Sequence, residues 1–108
     1  CSSDLDDASI CRAVEALIKC KGGLSLVDGP VTETLPLPVA GLLSTEDAWT
    51  VAAKYDRLDK MSSVLGSPLG APYMTLSFLA LLVIPELKLS DLGLFDGGRF
   101  AFVGQTKD

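Results

Sequence analysis

The chain has 108 residues, a formal charge of −5 and no histidine, and 48% of its residues are apolar. That length suits one domain around one hydrophobic core and is well short of the roughly 250 residues of a barrel enzyme. The charge forms no basic stripe, because Lys54, Arg57 and Lys60 are interleaved with acids, so the electrostatic footprint of nucleic-acid binding is missing.

Cys1, Cys11 and Cys20 are odd in number and lack C-x-x-C spacing. Without histidine the usual Cys/His zinc sets are ruled out, and the three thiols read as reduced. The first residues lack the basic, apolar and small-residue order of a signal peptide, and the chain starts at Cys1 rather than Met, which is expected of a piece of a longer protein.

Ser3 with Asp6 fits a capping pattern ahead of a first helix over residues 4–21, with Ile10, Cys11, Val14, Leu17 and Ile18 on one apolar stripe. Gly22 and Gly23 end it. Residues 24–27 and 31–35 alternate on either side of Asp28-Gly29-Pro30, a hairpin signal, and Pro30 argues for a loop slightly longer than two residues. In LPLPVAGLLS, residues 35–44, two prolines remove backbone donors, so a regular central strand is not expected. The segment reads as a connecting loop laid over the core or a shaped wall of a pocket or interface.

Ser44 with Asp47 repeats the capping pattern, and a second helix is predicted over residues 45–65, ending at Gly66 before Pro68. Its stripe is Ala48, Val51, Ala52, Tyr55, Leu58 and Leu65, with Trp49 at the stripe's edge or turned to a partner. Residues 65–72 form a connector without P-loop spacing. Residues 73–82 suit a buried short helix or a strand equally. The seven apolar residues Phe78 to Ile84 fall far below the roughly 20 that cross a bilayer. Leu87, Leu89, Leu92 and Leu94 alternate with polar residues as in a strand pair, and residues 99–103 form a last strand with Phe100 and Phe102 on one face.

Chemistry is scarce. Without histidine neither Ser-His-Asp nor Cys-His pairs can form, and Cys11 on the predicted stripe reads as an inert buried thiol. Glu33, Glu86, Asp91 and Asp96 are the acid/base candidates, for which solvated or capping roles are the default, and Asp91 before Leu92-Gly93 reads as a turn residue. The aromatics lack interleaved basic residues, which favours packing over stacking on bases. No catalytic, cofactor-binding or metal-binding residue is assigned to the chain.

Two segments, LPLPVAGLLS at residues 35–44 and PYMTLSFLALLVIPELKLSDLGLFD at residues 72–96, resemble in order and spacing the C-terminal domain of bacterial and archaeal adenine deaminases. The capped helix between them, the GGLSLVDG segment and the acidic start of the first helix also match. Leu82 departs from the family, which commonly has proline there. The resemblance implies residues 1–108 as a single α/β (α+β) domain, two-layered, with two main helices packed on a small mixed sheet.

Its implied parent is a cytoplasmic amidohydrolase-type enzyme of purine salvage that converts adenine and water to hypoxanthine and ammonia. Manganese or iron would be held by histidines and acids of a preceding catalytic barrel. This chain would play a structural and docking role, inactive alone, with the barrel as partner and homo-oligomer contacts possible. Residues 35–44 and 75–85 are the expected docking surface. The alternative is a stand-alone interaction or oligomerisation domain without activity. Neither reading involves nucleic acid or a membrane.

Overall fold

The computed structural model describes residues 6–104. The chain divides into two compact units, Cys1–Gly70 and Ala71–Asp108.

In the first unit, α1 (Asp7–Lys19) leads into an antiparallel hairpin of β1 (Gly23–Asp28) and β2 (Val31–Pro36), followed by α2 (Ala48–Val64). The cap of α1 is Asp6, whose carboxylate accepts hydrogen bonds from the Ser9 amide at 2.8 Å and the Ser9 hydroxyl at 3.1 Å. Residues 1–5, including the expected cap Ser3 and Cys1, lie outside the described residues. Likewise α2 is capped by Asp47, which accepts from the Thr50 amide at 3.0 Å and its hydroxyl at 2.6 Å, so the helix starts three residues later than predicted. Ser44 instead accepts from the Glu46 amide at 3.1 Å. At the other end the Ser67 amide reaches back to Ser62 O at 3.1 Å, closing α2 around Gly66 as expected.

The hairpin turn has only two residues, because Asp28 pairs directly with Val31. Gly29 takes φ +50 at the first position, and proline's fixed negative φ suits the second, so Pro30 fits the short turn rather than lengthening it. The Arg12 guanidinium donates to Gly29 O at 2.6 Å and ties the turn to α1.

The two helices lie on opposite faces of the hairpin. Ser25 donates its hydroxyl to Ala13 O of α1 at 3.1 Å, while Glu33 of β2 pairs with Arg57 of α2. Side chains alternate along a strand, so Ser25 and Val27 face α1, and Leu24, Leu26, Glu33 and Leu35 face α2. The buried apolar centre of this unit is Leu26, Val27, Leu35 and Leu58. Helices cover both faces of the hairpin because both faces of β1 carry apolar or small side chains.

Beyond β2 the chain returns over the corner after α1. Leu37 N donates to Gly22 O at 3.0 Å, and a Cβ at Gly22 would lie 2.5 Å from Gly41 Cα. A tight turn follows, with Val39 and Leu43 exchanging backbone bonds at 3.0 Å around Ala40 and Gly41, both at positive φ. Residues 35–44 are thus a loop apart from the end of β2.

The second unit holds α3 (Pro72–Ser77), extended by a single 3₁₀ turn over Phe78–Ala80, and an antiparallel meander of β3 (Leu87–Ser90), β4 (Gly93–Asp96) and β5 (Ala101–Val103). The open choice at residues 73–82 resolves as helical as far as Ala80, with Met74, Phe78 and Leu79 exposed rather than buried, and with Pro72 at the first helical position, where its missing amide costs nothing. The strands expected in one mixed sheet are divided between two antiparallel sheets, and the α+β class holds. Phe95 is buried and meets Phe100 and Phe102 edge to face, with ring centroids 5.5 and 5.2 Å away. Among the described residues no helix is long and apolar enough to cross a membrane.

Candidate docking surface

Each candidate carboxylate has a local structural partner or position. Glu33 pairs with Arg57. Asp96 accepts from the amides of Gly98 at 2.9 Å and Arg99 at 3.0 Å, shaping the turn into β5. Asp91 occupies the two-residue β3–β4 turn, which Ser90 braces by donating to Gly93 O at 3.1 Å and accepting from Leu92 N at 3.0 Å. Glu86 lies just before β3, where its carbonyl accepts from Gly97 N at 2.9 Å. In the second unit, Asp91 and Asp96 stand at opposite ends of the β3–β4 hairpin. Among the described residues no group of three Cys, Asp or Glu side chains is placed to hold a metal ion.

The thiols are arranged differently from the expectation. Cys11 is exposed, and Cys20 is half-buried with its Sγ directed at Leu17 O and Gly22 O. The face of α1 against the hairpin carries Ser9, Ala13, Ala16 and Cys20, small residues that let the helix backbone approach the sheet. The bulkier stripe of Ile10, Val14 and Ile18 is therefore turned outward, with Ile18 69% exposed. The second, small-residue periodicity at 9, 13, 16 and 20 is the signal that could have revealed this. In α2, Val51, Tyr55 and Leu58 lie on the packed face, whereas Ala48, Ala52 and Leu65 are exposed and Trp49 is 86% exposed.

The groove beside α2, about 300 Å³ in volume, is lined by Asp28, Asp56, Arg57, Lys60, Met61 and Val64. Its cations are engaged, Arg57 by Glu33 and Lys60 by Asp56. The remaining distinctive surface is apolar. Val39, Leu42 and Leu43 project from the proline-bounded loop, and Phe78, Leu79, Leu81 and Val83 are about half exposed or more on the long apolar run. Both segments expected to dock do present apolar side chains to solvent, and the outer stripe of α1 adds a third.

The chain is thus a small α+β structure with its candidate carboxylates in turns and ion pairs and several large apolar side chains exposed. The family model described as the adenine deaminase C-terminal domain matches residues 4–101, and the chain belongs to that family. It is similar to proteins named adenine deaminase: 52% identical over 103 residues to that of Salinibacter ruber, 53% over 102 residues to that of a Sulfurovum strain, and 44% over 104 residues to that of Archaeoglobus fulgidus. These alignments cover 94%, 94% and 96% of the chain, which spans about a fifth (19%) of each relative's length. No solved structure matches it.

Proposed function

We propose that this chain serves as the C-terminal domain of an adenine deaminase, supporting and docking against a catalytic barrel. The observation that carries the reading is the family match over residues 4–101, which runs across the division after Gly70 and favours both units as parts of one domain. The reaction is hydrolysis of adenine to hypoxanthine and ammonia, within purine salvage in the cytoplasm. The residues here do not fit the manganese or iron of such an enzyme: Glu33 and Asp96 are engaged by Arg57 and by backbone amides, and no histidine is available. The metal and the chemistry belong to the barrel, and no catalytic residue lies in this chain. Association of several copies belongs to the same reading.

The test is an ammonia-release assay with adenine and manganese on the natural full-length protein and on the 108-residue chain. Activity of the first and inactivity of the second are expected. A full-length protein that releases no ammonia, or a short chain that does, overturns the reading.

A further inference from the structure

The outward stripe of α1 is self-complementary. Asp7, Ile10, Val14 and Leu17 are spaced 3, 4 and 3 residues apart along α1, and Asp7, Cys11, Val14 and Ile18 are spaced 4, 3 and 4, the spacings of a two-helix seam. Asp7, Ile10, Cys11, Val14, Ile18 and Lys21 are all exposed and Leu17 is half-buried. Two copies laid antiparallel with Val14 on the two-fold axis bring Ile10 against the other copy's Ile18 and Cys11 against its Leu17. Each Asp7 then lies at the C-terminal end of the other copy's helix, where Lys19 closes the last turn and Lys21 follows just past the cap.

Charge sets the direction. The helix is capped by Asp6 and starts with Asp7, its last turn carries Lys19, and Lys21 follows just past the C-cap Cys20; among the described residues neither lysine is in an ion pair. Parallel packing would stack acid on acid and base on base. Antiparallel packing opposes unlike charges at both ends and aligns the helix dipoles favourably.

We propose that the outer face of α1 is a homodimer contact, formed antiparallel about Val14 with a second copy of this chain as its occupant. It rests on the reading of the chain as a domain of a self-associating enzyme and names the surface. A single helix pair is at the small end of specific interfaces, so the isolated chain dimerises weakly and reversibly.

The experiment follows the mass of the 108-residue chain by sedimentation equilibrium from micromolar to about 1 mM. A monomer–dimer equilibrium is expected. Val14→Glu, which sets two like charges across the axis, weakens it by about tenfold or more. Asp7→Lys weakens it roughly two- to tenfold, and adding Lys21→Asp restores it. With Cys1, Cys11 and Cys20 replaced by serine and a mild thiol oxidant added to accept the two electrons, Val14→Cys forms a disulfide dimer by itself. Ile10→Cys and Ile18→Cys link only when mixed, which separates antiparallel from parallel packing.

Circular dichroism confirms that each variant is folded, and a half-exposed Val14 predicts that Val14→Glu is. A chain monomeric throughout and without the mixed crosslink overturns the proposal and leaves the face to another part of a longer polypeptide. A dimer indifferent to Val14→Glu and Asp7→Lys overturns it as well. Neither readout uses adenine, so failure of the dimer and failure of the deaminase reading are told apart.

Discussion

Leu26 and Val27 are consecutive on β1, and both are buried, at 7% and 9% exposure. Neighbouring strand residues point to opposite faces, so double burial requires cover on both sides of the hairpin. The cover is α1 on the Val27 face and α2 on the Leu26 face. Core and periphery in this unit should therefore separate cleanly in mutational cost. Leu35→Ala and Leu58→Ala, at 1% and 2% exposure, are expected to lose about 2–5 kcal/mol each. Ile18→Ala is expected to stay within about 0.5 kcal/mol in urea unfolding at low chain concentration.

The corner after α1 is intolerant of any side chain. A Cβ at Gly23 would lie 2.2 Å from Leu35 O, and φ there is +143. Because the obstructing atoms are backbone, Gly23→Ala and Gly22→Ala should each destabilise by about 1–3 kcal/mol or more. Gly70→Ala, with open space around it, serves as the control. Denaturation midpoints at constant slope check the difference.

Acid should loosen both helix starts. The Asp6 carboxyl is held below its ordinary value of 3.8 by hydrogen bonds from the Ser9 amide and hydroxyl. That of Asp47 is lowered by the Thr50 hydroxyl and amide. A lowered folded-state pKa adds stability that is complete above the unfolded value and fades as pH falls through the folded one. Stability should thus decline below about pH 4, and Asp6→Asn with Asp47→Asn should flatten that decline. Equally steep pH curves for the double variant and the parent would contradict this.

In the second unit, Phe95→Ala removes the ring on which Phe100 and Phe102 both rest edge to face, at an expected cost of about 3–5 kcal/mol. Faster amide exchange through β4 and β5 is the readout. Phe100→Ala, at 68% exposure, should have a smaller effect.

Local signals in the sequence were legible where they are chemical. The Gly66 exit, the Asp91 turn and the leucine hairpin all depend on side chains acting within a few residues, whereas the capping pattern points to Ser44 and the cap of α2 falls on Asp47. The facing of α1 was not legible. Apolar periodicity favoured Ile10, Val14 and Ile18 as the inner stripe, but sheet proximity selected Ser9, Ala13 and Ala16, whose small size permits the Ser25 contact. Residues 73–82 were ambiguous because a short apolar run suits either period, and the choice fell to Pro72, which fits a helix start.

The two-residue Gly29-Pro30 turn has a role that hydrophobicity cannot take over. On most half-buried strands a one-residue slip throws apolar side chains into water, which fixes the pairing. On β1 both faces are covered and both Leu26 and Val27 are apolar, so a slip is penalised far less by burial. Alignment of β1 with β2 then depends on the turn, clamped by Arg12 through Gly29 O. Inserting one residue between Gly29 and Pro30 would leave the composition of the core intact while removing the information that aligns it.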